Sequence, residues 1–115
     1  MLSDRARSAL FDIRDNAALA RSFVGTLALT EFVADRKAFY AATRALEIIS
    51  EAARRLPPEL RERHPQLPWR GIMGVGNVLR HNYEEVAEQQ IWRTVMEDLP
   101  SLEQAVSAEL ARIPT

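Results

Sequence analysis

Two apolar stripes, each held in phase through more than three helical turns, constrain this chain more than any other feature. In the first, Ala6, Ile13, Ala20 and Leu27 recur at sevens, with Leu10, Ala17 and Val24 falling between them. A strand would alternate every second residue, whereas this spacing keeps one face of an α-helix apolar. Ser3 or Asp4 can cap the start and Gly25 can stop the helix. In the second stripe Phe32, Phe39, Leu46 and Ala53 interleave with Ala42, Ile49 and Leu56. Thr30 is placed to cap this helix, which should run to about Leu56, where Pro57–Pro58 ends it. Two such helices joined by a short loop form an antiparallel pair about 35–40 Å long at 1.5 Å per residue.

The rest of the chain continues the helical reading. "PPELRERHPQLP" is a proline-bounded link with room for one helical turn over Glu59–Arg63. Pro68 suits the first turn of a third helix, "PWRGIMGVGNVLRHNY". Gly71, Gly74 and Gly76 all fall in it, each costing about 1 kcal/mol of helix propensity relative to alanine. Such a concentration predicts either close approach by another backbone or a local irregularity. Ile91, Val95, Leu99, Leu102, Val106, Leu110 and Ile113 form a last stripe, within which Pro100 must kink one helix or begin another near Asp98. No segment alternates as a strand and there is no internal repeat. The expected fold is all-α, an antiparallel four-helix bundle with one or two extra short helices, in a single domain over residues 1–115.

Composition narrows the chemistry. The net charge is −1, which argues against a broadly basic nucleic-acid binder but leaves room for a local cluster. There is no cysteine, and the two histidines lack metal-site spacing, so no metal and no cofactor are expected. No apolar run approaches the roughly 18 residues that a membrane span requires, and the start lacks the apolar core of a secretory signal. A soluble, cytoplasmic protein is expected.

The densest chemistry lies in "GNVLRHNYEEV", residues 76 to 86. His81 reads as a polar residue stabilised near a helix C-terminus. The alternative reading is a general base, since an imidazole titrating near 6.5 can take the proton of a ribose 2′-hydroxyl. Attack of that oxygen on the adjacent phosphate would cleave RNA without a metal, and a cation would then be needed for the growing charge. Arg80 and Arg70 are the candidates, although each alone also reads as part of a solvated helix face. Asn77 is unfavourable inside a helix and implies a hydrogen-bonding task. Tyr83 reads as a half-buried aromatic with a wet hydroxyl, Trp69 and Trp92 as anchors, and Glu51 as an exposed charge.

The order "ALEIISEAARRLPPEL", "HPQLPWRGIMGVGNVLRHNYEEV" and "IWRTVMEDLPSLEQAV" resembles the HepT-like branch of the HEPN-domain superfamily over nearly the whole chain. The resemblance is strongest at Glu51-Ala52, Pro65, Pro68-Trp69, Asn77, His81, Tyr83, Trp92 and Leu99-Pro100. It implies a helical-bundle homodimer acting as a metal-independent endoribonuclease toxin. The implied partner is a minimal nucleotidyltransferase antitoxin from a neighbouring gene, able to transfer AMP to a tyrosine. The family motif is arginine, four residues, histidine, any residue, tyrosine. It implies His81 as the catalytic histidine, Asn77 as the polar residue that follows the arginine position and Tyr83 as the AMP acceptor. The arginine position falls on Gly76, a departure. Either Arg80 or Arg70 then supplies the charge, with Glu51 in support, or the chain is a dimeric helical module that binds a nucleotidyltransferase without cleaving RNA.

Overall fold

The computed structural model describes residues 2–81 and 84–113, and of residues 78–81, 84 and 85 the backbone alone. Helix α1 spans Asp4–Val24, with the Ser3 hydroxyl accepting from the Ala6 N–H at 3.1 Å. Gly25 ends it at φ 55°, a conformation that side chains rarely adopt, while its N–H reaches the Arg21 carbonyl. Every predicted seam residue of α1 up to Val24 is buried, and Leu27 packs against the core from its edge.

The second stripe is not one rod. It divides into α2 (Leu29–Ala34) and α3 (Arg36–Arg55), and the cap expected at Thr30 is displaced. The Glu31 carboxylate turns back to the Ala28 N–H at 2.9 Å and starts α2 there. Asp35 then leaves helical geometry at ψ 90° and accepts from the Ala38 N–H at 3.0 Å, opening α3. The heptad hides this break because Phe32 and Phe39 remain buried on both sides of it, edge to face with ring centroids 6.1 Å apart.

Helix α4 covers Pro58–Glu62, one turn as expected, and Leu60 buries beneath it. Helix α5 spans Trp69–His81 and α6 spans Glu84–Arg93. A π-helical turn at Thr94–Asp98 leads directly into α7, Leu99–Ala111. The cause is Pro100, which has no N–H and whose ring would collide with the carbonyl four residues back in a regular helix. Widening the preceding turn relieves the collision, and the Leu99 N–H reaches back five residues to Thr94. Of the two outcomes expected at Pro100, the structure is nearer the first: the run stays helical from Glu84 to Ala111, with the π turn as its one irregularity.

Four rods result: α1, α3, α5, and α6 continued by α7. Cross-links fix their directions. Arg55 near the end of α3 pairs with Asp12 near the start of α1 at 2.7 Å. Arg21 near the end of α1 pairs with Glu103 in the first half of α7 at 2.9 Å. On α3, Ser50 bonds to Met73 of α5 while Arg36 pairs with Glu88 of α6, so the chain runs back along α3 from its end towards its start. The described residues form an all-α antiparallel bundle with α2 and α4 as short extras. Its core joins both predicted stripes to Leu60, Ile72, Val75, Ile91, Val95, Leu99, Leu102 and Val106. Each large aliphatic side chain so buried contributes about 1.5–3 kcal/mol.

Candidate functional site

Helix α5 carries Arg70, Asn77, Arg80 and His81, and its anchoring begins before its first turn. The Trp69 indole donates to the His64 carbonyl at 3.0 Å and the Ile72 N–H reaches the Pro68 carbonyl. Trp92 likewise donates to the Leu27 carbonyl at 3.0 Å. Both tryptophans therefore serve as anchors. Ile72 and Val75 bury on the side facing α3.

Met73 is held from three places. Its carbonyl accepts from the Ser50 hydroxyl at 2.7 Å and from the Arg54 guanidinium, and its sulfur lies 2.9 Å from Arg61. Ser50 and Arg54 are four residues apart, so they present one face of α3 to α5. Neither was singled out from the sequence. The only available signal was that spacing, which is common on solvated helices and needs the partner helix to acquire meaning.

Among the described residues, nothing packs over Arg70 and Asn77 on the opposite side of α5, where both are exposed. At 100° per residue, positions 70, 74, 77 and 81 fall within about 40–60° of one another around the axis. A methyl group built on Gly74 or Gly71 meets nothing within 4 Å. Among the described residues of one chain no backbone approaches these two glycines, and the helix runs unbroken from Trp69 to His81. They keep the face low.

Of the expected site residues, Arg70 and Asn77 share this face, and position 81 closes it at the last residue of α5. The side chains of Arg80 and His81, and the whole of Tyr83, lie outside the described residues. Glu51 is exposed on α3, one residue from Ser50. Among the described residues no three histidine, aspartate or glutamate side chains gather where they could hold a metal ion. Nor is any helix long and apolar enough to cross a membrane.

The family model described as ribonuclease HepT-like matches residues 13–109. A Thermococcus cleftensis protein named a probable ribonuclease HepT is 38% identical over 93 residues, covering 81% of this chain and 84% of the relative. A Methanocaldococcus jannaschii protein named as a candidate RNase is 35% identical over 97 residues, covering 84% and 89%. A second candidate RNase, from Caldanaerobacter subterraneus, is 38% identical over 86 residues, covering 75% and 77%. No solved structure matches at a significant level. The chain belongs to the HepT-like ribonuclease family, and its relatives support ribonuclease activity.

Proposed function

We propose that this chain is the endoribonuclease toxin of a toxin–antitoxin pair, working in the cytoplasm without a metal. The observation that carries the reading is the face of α5 on which the exposed Arg70 and Asn77 share one register with position 81, beside glycines that add no bulk. His81 takes the proton from a ribose 2′-hydroxyl as that oxygen attacks the neighbouring phosphorus. The bond to the 5′ oxygen breaks, leaving a 2′,3′-cyclic phosphate on one product, and the departing oxygen takes its proton from water. Arg80 is the first candidate to stabilise the charge growing on the phosphate, Arg70 the second, and Asn77 orients the phosphate. Glu51 supports from α3.

A second copy of the chain fits the same face. The low surface at Gly71 and Gly74 permits a close twofold contact, which would bring two copies of His81 and Arg80 into one cleft. Tyr83 follows His81 by two residues. A nucleotidyltransferase antitoxin that transfers AMP to its hydroxyl would place an anion among the arginines that otherwise meet RNA.

The test is RNA cleavage in EDTA by wild type and His81→Ala. Cleavage that persists in chelator and falls at least about 100-fold in the variant supports the mechanism. Equal rates, or activity that returns only with Mg²⁺, overturn it. Gly76 favours one second reading, a non-cleaving module that binds the nucleotidyltransferase. An inert wild type that still forms the complex selects it. Intact mass after co-expression reads the modification, an added AMP on wild type and none on Tyr83→Phe.

A further inference from the structure

At the far end of α3 from its Arg36–Glu88 link to α6, a cavity of about 620 Å³ opens where the start of α1, the end of α3, α4 and the end of α7 meet. Its volume lies in the range of small-molecule sites, about 300–1,000 Å³. Arg7, Arg55, Arg63 and Arg112 line it, against only Glu59 and Glu109.

How those charges are already engaged decides what the cavity can take. Glu109 is 3% exposed, and Arg63 reaches both of its oxygens, at 2.6 and 3.2 Å. His64 Nε2 lies 2.7 Å from the same carboxylate. The hydrogen bond from Arg63 holds the Glu109 carboxyl below its ordinary range, against the opposing effect of burial. This anion is saturated. Arg55 is committed to Asp12 at 2.7 Å. Arg112 stands 3.9 Å from Glu109 and is 64% exposed. Arg7, exposed on α1, has no side-chain partner among the described residues. Arg7 is left over and Arg112 is held only at long range, both facing a cavity whose carboxylates are outnumbered. The half-buried Leu2, Pro57 and Ile113 supply an apolar wall.

We propose that this cavity binds the phosphomonoester of a nucleotide, with Arg7 and Arg112 on the phosphate oxygens and the nucleoside against Leu2, Pro57 and Ile113. Guanidinium forks match phosphate oxygens, and a terminal phosphate with two negative charges balances both arginines. The nucleotide is either free or the 5′ end of an RNA, and the chemistry is the same. The site does not depend on His81, so it stands or falls separately from the ribonuclease reading.

The test is titration calorimetry of the full chain with AMP, adenosine, and a non-cleavable 2′-O-methyl RNA with or without a 5′-phosphate. AMP should saturate one site per chain and adenosine should not bind. Arg7→Gln with Arg112→Gln should weaken AMP at least tenfold and leave Tm unchanged, since both side chains are exposed. Glu59→Gln removes an opposing charge and should tighten AMP severalfold, a gain that a damaged fold cannot mimic. A 5′-phosphorylated RNA that binds tighter than both AMP and its 5′-hydroxyl counterpart identifies an RNA end. Binding of AMP with no preference between the two RNAs identifies a free nucleotide. No saturation by millimolar AMP, equal binding of adenosine, or unchanged affinity in the double variant overturns the proposal.

Discussion

Replacing Asp35 with alanine sets two descriptions of residues 29–55 against each other. If the apolar heptad dictates one continuous helix, alanine is the better helix former and removes the obstacle, gaining up to about 0.7 kcal/mol. If the Asp35 carboxylate is what starts α3, alanine removes a bond of 3.0 Å to the Ala38 N–H. Loss of such a cap costs about 1 kcal/mol, and loss of a negative charge at the N-terminus of a 20-residue helix adds about 0.3–1 kcal/mol. The structure therefore predicts that Asp35→Ala destabilises by about 1–2 kcal/mol. Asp35→Asn keeps the cap and loses only the charge, so it should cost about 0.3–1 kcal/mol, and less in high salt. At about 4 °C per kcal/mol, Tm should fall by about 4–8 °C for alanine and by half of that or less for asparagine. Urea titration followed by circular dichroism gives both stability and helix content. A higher Tm for Asp35→Ala, accompanied by increased helicity, would refute the capping argument.

Other perturbations test the site and the charges around it. Gly76→Arg should raise the rate of RNA cleavage by about 10²–10³ if the absent motif cation limits it, and an unchanged rate in a fluorescent RNA assay would place the limit elsewhere. The Glu109 carboxyl is lowered in the fold, first by its bond from Arg63, so its contribution is present above the ordinary value of 4.5 and lost as pH falls through its folded value. Glu109→Gln should therefore narrow its stability deficit in acid, read as Tm against pH from 7 to 3. Asp98 is shifted the other way, raised first by burial and then by Glu97, so its stability contribution falls as pH rises above the ordinary 3.8. Asp98→Asn should melt slightly above wild type at pH 7 and lose that advantage near pH 3.

The stripes were readable because burial repeats along the chain. Ile13, Phe39, Leu46, Ile91 and Leu102 announce their face by spacing alone, and each is buried. The break at Asp35 was not readable, since a one-residue cap between Phe32 and Phe39 leaves the period of seven intact. The glycines are ambiguous for a related reason. A missing side chain records that space is kept free, not which body will occupy it, and around Gly71 and Gly74 that space is open. The chemistry of Arg70 and Asn77 could be named from residue type, and their common register follows from seven-residue spacing. The grip on Met73 depends on which turn of α3 lies alongside α5, a relation between distant segments that no local pattern encodes.

That grip makes α5 a lever. Its fulcrum is Met73, held through Ser50, Arg54 and Arg61, and position 81 lies eight residues further along, about 12 Å at 1.5 Å per residue. A tilt of about 5° at the fulcrum moves the backbone of His81 by about 1 Å, a displacement that can cost about 100-fold in rate when a reacting group must be aligned. Under the proposed mechanism, leverage of this kind would make a serine hydroxyl on a neighbouring helix an aiming device for position 81.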